Sequence, residues 1–269
     1  MAVNPSIPTP EIPATATAAR DFAAGIACVF NGLRMLITHR SLWGYCIVSA
    51  LVMAVLLVSA LTFTIGRVDD WLGAVWARPD GAMWAILWYL AAIGVALAVG
   101  YLALVASIAA AGIVLAPLHD RLSEKVERLV EPRPDEKFDA ATFVGDVGTG
   151  IAHTVLNLVL FLAIGVPVVL LNLVPGIGSL VSAAVGAVFT GFMLAMEMSD
   201  YALSRRRLTW RAKWGVIRRR PWLFLGFGLT LAALLWIPFA GAVTVPASVI
   251  SGTLLVLAVE RSGLVNAES

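Results

Sequence analysis

Asn31-Gly32-Leu33-Arg34 has the residue types best suited to holding an oxyanion. Asparagine caps helix starts, glycine lets backbone N–H groups approach a ligand, and arginine adds a rigid, permanently charged fork of donors. At a helix N-terminus these groups together would receive a tetrahedral anion. The plainer reading makes Arg34 an interfacial anchor for the helix that follows. His153 and Asn157 lie one helical turn apart on an apolar stretch. They would serve either as a polar path or proton relay, or as interhelical hydrogen-bonding groups. Glu197, Asp200 and Tyr201 stand just before a basic run. There a structural ion pair with Arg205 to Arg211 competes with a gating role.

Other chemistry has little to stand on. The chain has no GxxxxGK[ST] phosphate loop, so it does not power itself with ATP, and no Ser-His-Asp, HExxH or CxxC pattern that would make it an enzyme. Its two cysteines, Cys28 and Cys46, sit in apolar surroundings and read as small buried hydrophobes. With three histidines in all, neither a metal nor another cofactor is expected.

These residues must be positioned by membrane elements. The 269 residues are 60% hydrophobic and 13% charged, with a mean hydropathy of +0.90. Soluble domains carry about 25% charged residues, so the composition is that of an integral membrane protein. We expect a disordered, proline-rich extension over 1–17, one membrane domain over 18–262 and a tail over 263–269. The extension has no basic region before an apolar core, unlike a signal peptide.

From Ala18 to Arg40, apolar residues recur at helical spacing between polar ones. This fits an amphipathic interfacial helix, or equally a wetted lead-in to the first span. Trp43 to Ile65 is free of charge and of membrane-crossing length, with Trp43 and Tyr45 at its near end. Gly81 to Leu118 is also uncharged and long enough to project beyond the membrane. His119 to Asp139 reads as a solvated helix and turn ended by Pro132 and Pro134. In it Glu124–Arg128 is a favourable i,i+4 pair and Glu127–Glu131 an unfavourable one.

Val147–Met196 and Trp222–Val259 are two further uncharged stretches, broken by Pro and Gly at Val166-Pro167, Pro175-Gly176, Pro238, Gly241 and Pro246. The spacing of these breaks suggests a weak internal repeat. The arms Ile151–Val166 and Trp222–Ile237 hold about 16 residues each, short of the ~20 that cross a bilayer core. The tips carry no charge, which favours hairpins that enter the membrane partway and return. Between them lie Arg205, Arg206, Arg207, Arg211, Lys213, Arg218, Arg219 and Arg220, which the positive-inside rule places in the cytoplasm together with both termini. Such a run suits anionic lipid rather than nucleic acid.

The residues resemble the CysZ sulfate permease family and the wider etoposide-induced-protein superfamily. Gly32-Leu33-Arg34 looks like that family's sulfate-binding motif, although Met35 follows where a second arginine is common, with Arg40 further on. Ala116-Pro117 with Asp120-Arg121-Leu122-Ser123-Glu124-Lys125-Val126-Glu127, then Asp200-Tyr201, Gly226-Phe227-Gly228, Ile237-Pro238 and Pro246, carry the rest of the likeness. The resemblance implies an all-α fold of two long transmembrane helices, two hemi-penetrating hairpins and an N-terminal interfacial helix, assembled as a homo-oligomer. It also implies sulfate uptake across the bacterial inner membrane for cysteine synthesis. A membrane scaffold, or a channel for another anion, is the alternative.

Overall fold

The computed structural model describes residues 17–75, 81–131, 140–173, 176–237 and 241–263. Among them eight α-helices account for nearly all residues and no strand occurs. They are α1 (Ala18–Thr38), α2 (Trp43–Val75), α3 (Ala82–Val130), α4 (Ala140–Leu170), α5 (Gly178–Arg205), α6 (Trp210–Arg219), α7 (Pro221–Leu235) and α8 (Gly241–Arg261). Six helices are long and apolar enough to cross a membrane. Contacts divide the chain into two compact units, residues 44–118 in one and all the rest in the other.

The smaller unit holds nearly all of α2 and most of α3. Its apolar residues face outward: Leu51, Val55, Val58, Leu97, Leu102 and Ile113 are each more than half exposed. Water would penalise such a surface at every residue, whereas hydrocarbon would not. Helices satisfy their own backbone, which is why α2 and α3 can present such an outward apolar face.

In the larger unit α7 and α8 form the core, with α1 and α5 packed on them. Phe224, Phe227, Leu231, Ile250 and Leu254 are almost wholly buried. Backbone approaches set this packing. A Cβ on Gly25 of α1 would lie 2.6 Å from the Phe227 nitrogen, and one on Gly228 of α7 would lie 2.9 Å from the Gly191 Cα of α5. Small residues permit such contacts, and apolar helices gain their association largely from them. The outward side of α4 stays apolar and open, with Val155, Leu158, Val159 and Val169 each more than half exposed.

Two expected breaks are not breaks. Pro167 lies inside α4, which continues to Leu170, and Pro246 lies inside α8 near its start. A helix gives up one backbone hydrogen bond at an internal proline, a loss its packed neighbours tolerate in apolar surroundings. The arms are therefore longer than expected: α4 has 31 residues, α5 has 28 and α8 has 21. Only α7, with 15 residues, is short. At about 1.5 Å per residue it spans about 22 Å. The internal repeat is not mirrored either, since Pro167 is helical while Ile237 lies beyond the end of α7. Pro175 and Pro238 lie outside the described residues.

The tip between α4 and α5 turns through Gly176 at φ +85°, a conformation that side chains rarely adopt. Helix ends leave carbonyls without partners, and here side chains supply them. Ser182 Oγ donates to the Val168 carbonyl (2.8 Å), while Asn172 Nδ2 donates to the Val169 carbonyl (3.0 Å) and to Ser182 Oγ (2.9 Å). The Val168 and Val169 carbonyls thus need no water. We therefore propose that the tip stays within the apolar phase although its arms are long enough to cross. Leu173→Cys, at a residue 75% exposed on the protein surface, is expected to resist a membrane-impermeant maleimide added from outside. Rapid labelling would place the tip in water.

Candidate anion-transport site

The buried residues of α1 are Asp21, Gly25, Cys28, Val29, Gly32, Met35 and Leu36, a helical stripe that faces α7 and α8. Gly32 belongs to that stripe. A Cβ there would lie 2.7 Å from the Ser251 Cα, so the glycine serves the approach of α1 to α8. Ser251 Oγ seals this contact by donating to the Val29 carbonyl (3.2 Å) as well as to Ala247 (2.7 Å) in its own helix. Leu33 is half-buried and Arg34 is exposed.

Asn31-Gly32-Leu33-Arg34 therefore does not start a helix. It lies inside α1, where backbone N–H groups are occupied by the helix's own hydrogen bonds. The helix-start geometry expected for an oxyanion receptor is absent at this position, and the Arg34 side chain is exposed. The helix start falls later, at the 3₁₀ turn Arg40–Leu42 that leads into α2. Arg40 is exposed there, and the Ser41 carbonyl accepts from Lys125 Nζ at 2.9 Å. Trp43, expected as an interfacial anchor, turns its indole N–H to the Leu36 carbonyl (2.9 Å) and so fixes the elbow after α1.

The second group of candidates gathers around α4, α5 and α6. Trp210 Nε1 donates to Asn157 Oδ1 at 2.8 Å, so Asn157 ties α4 to α6. Asn157 and Glu197 line one cleft of about 300 Å³ together with Phe161, Thr190 and Met193. Asp200 turns elsewhere. It accepts from Lys213 Nζ at 2.5 Å, and Lys213, which also donates to Ser204 Oγ (2.8 Å), is almost wholly buried. The sequence pointed Asp200 at Arg205–Arg211; Lys213 takes that place because α6 folds back along α5. His153 stands one turn before Asn157 in α4, and its side chain lies outside the described residues.

A third cluster was not foreseen. Arg205 at the end of α5 reaches back to α3, with Nε on Glu127 Oε2 (3.1 Å), one terminal nitrogen on Asp120 Oδ1 (2.6 Å) and the other on Ser123 Oγ (2.5 Å). Arg206 grips both carboxylate oxygens of Glu260 in α8 at 2.5 and 2.8 Å and also contacts Glu127. Glu127 thus sits between two arginines, and its side chain is 9% exposed. Ser123 in turn shares a 2.6 Å hydrogen bond with Thr253. Arg261 pairs with Glu131 at 2.8 Å, and Arg128 with Glu124 at 2.6 Å as expected. The signal for the cluster was present in the sequence. Glu127 and Glu131 repel each other at i,i+4, so a helix carrying both needs cations from elsewhere.

A profile described as sulfate transporter CysZ/etoposide-induced protein 2.4 matches residues 28–246. The chain belongs to that family. It is 24% identical over 251 residues to the sulfate transporter CysZ of Pectobacterium atrosepticum, covering 92% of this chain and 90% of the relative. It is 33% identical over 146 residues to the protein of that name in Pseudomonas paraeruginosa, covering 54% of this chain and 58% of the relative. With its outward apolar helices, this family member is an all-α, multi-pass membrane protein, and its relatives are named as transporters rather than enzymes.

Proposed function

We propose that the protein is a sulfate permease of the bacterial inner membrane, passing sulfate inward without ATP for sulfur assimilation. The match over residues 28–246 to a family of sulfate transporters carries this reading. The fold supports it, because six helices among the described residues are long and apolar enough to cross a membrane. Both termini lie in the cytoplasm on the distribution of basic residues, and the family resemblance implies that subunits associate.

Arg34 is the anion contact on this reading. It is exposed on α1, and no carboxylate partners it among the described residues. Gly32 lets α1 pack against α8 behind it. Asn157 and Glu197, which line one cleft, are assigned with His153 and Asp200 to the path or its gate rather than to binding; an ionised Glu197 would repel a dianion.

Flux of radiolabelled sulfate into proteoliposomes tests both parts. A hydrogen bond to a charged group is worth about 1.5–3 kcal/mol, so Arg34→Ala should slow uptake by roughly ten-fold or more, with Arg34→Lys in between. Because Arg34 is exposed, its loss should leave the melting temperature unchanged. Normal flux in Arg34→Ala removes the site assignment. A sound wild-type preparation that passes no sulfate removes the permease and favours a scaffold.

A further inference from the structure

The structure sorts the eight cations of the basic run into two groups. Arg205 and Arg206 turn inward to Asp120, Glu127 and Glu260, Lys213 to Asp200, and Arg220 to Asp21 at 3.0 Å. Arg207, Arg211, Arg218 and Arg219 stay exposed. The first four hold the fold. Of the others, Arg207, Arg211 and Arg218 are available to something outside it.

Their placement on α6 is not random. Thr209 caps the helix, its Oγ1 accepting from the Ala212 N–H at 3.3 Å. Lys213, Val216 and Ile217 are buried and set the inward face. At 3.6 residues per turn, Arg211 and Arg218 are two turns apart and within about 20° of one another, on the side opposite that inward face. Arg207 precedes them in the turn after α5, and Trp222, half exposed, follows at the start of α7. Trp210 and Trp214 lie beside the arginines, their rings 6.1 Å apart. A short helix that buries Lys213, Val216 and Ile217 against the protein and turns Arg211 and Arg218 outward presents a basic face to its surroundings.

We propose that Arg207, Arg211 and Arg218 form a docking face for the phosphodiester headgroups of anionic lipid, with α6 lying in the plane of the bilayer surface. Guanidinium forks match phosphate oxygens, and the half-exposed Trp222 suits the headgroup boundary. The partner is a lipid surface rather than a free anion, because the arginines spread along a convex helix face instead of converging on one point. The proposal rests on the membrane reading and not on the choice of sulfate.

The test uses the full chain equilibrated in mixed micelles of phosphatidylglycerol and phosphatidylcholine, without sulfate. Retained lipid is counted by native mass spectrometry. Wild type should retain phosphatidylglycerol preferentially, and the preference should shrink as salt rises. Each basic residue near an anionic surface contributes about five-fold, so R207Q/R211Q/R218Q should lower phosphatidylglycerol affinity by about a hundred-fold at low salt. R207K/R211K/R218K should keep most of it. The charge-matched set R20Q/R67Q/R121Q, all exposed elsewhere, should behave as wild type. Unchanged selectivity in the glutamine set, equal loss in the charge-matched set, or displacement of lipid by inorganic phosphate would each overturn the proposal. Since no sulfate is involved, a chain that selects phosphatidylglycerol but passes no sulfate would leave this face standing and remove the permease alone.

Discussion

Gly228→Ala is expected to loosen the core more than any other single methyl group added to the chain. The new Cβ would overlap the Gly191 carbonyl oxygen and lie 2.9 Å from the Gly191 Cα, and both are backbone atoms that cannot rotate away. To accept it, α7 must move off α5, and each of these helices also packs on α8. Overpacking of this kind costs about 1–3 kcal/mol, and the upper end applies where backbone meets backbone. Gly94→Ala provides the opposite sign. Nothing lies within 4 Å of a Cβ at Gly94, inside α3, so alanine there should stabilise by up to about 1 kcal/mol through helix propensity. Thermal unfolding in detergent, followed by size-exclusion fluorescence, reads both. If the two variants melt alike, backbone approach does not set the α5–α7 packing.

Glu127→Ala is the second large effect. The carboxylate lies between Arg205 and Arg206, whose side chains are 23% and 10% exposed. Its removal leaves Arg206 with Glu260 and Arg205 with Asp120, and leaves the space between them positive and shielded from water. Breaking a buried ion pair by removing one partner costs about 3–5 kcal/mol. Glu124→Ala, three residues away in the same helix, breaks only the surface pair with Arg128, worth about 0.3–0.5 kcal/mol. Adding Arg206→Met to Glu127→Ala should deepen the loss, because the second change also strands the Glu260 carboxylate that Arg206 holds. Equal melting of Glu127→Ala and Glu124→Ala would show that the cluster contributes nothing beyond an exposed pair.

Much of this architecture could be read from residue order. Uncharged runs marked α2, α3, α4 and α5, and the excess of small and apolar residues announced a membrane protein before any helix was placed. The Glu124–Arg128 pair followed from spacing alone. What the sequence hid were features decided by distant partners. A proline in an apolar run signals a break unless neighbouring helices hold the chain straight, as they do for Pro246, so arm lengths were underestimated. Gly32 looked like a ligand-facing glycine because nothing local records Ser251 against it. Glu127 looked solvated because its two arginines come from the far end of α5. The family resemblance placed the chain correctly, but the motif at Gly32–Arg34 lies inside a helix rather than at its start.

The contact between Gly32 and Ser251 also bears on how the chain is made. The hydrogen bond from Ser251 to Val29 closes 222 residues of sequence. At about 5–20 residues per second of synthesis, α1 waits roughly 10–45 seconds for the helix that covers it. During that interval its apolar stripe has no protein partner, and the headgroup layer of the membrane is the place where such a stripe rests at least cost. The surface-seeking pattern of Ala18 to Arg40 would then belong to the nascent chain: α1 floats at the interface first and is captured by α7 and α8 when translation ends.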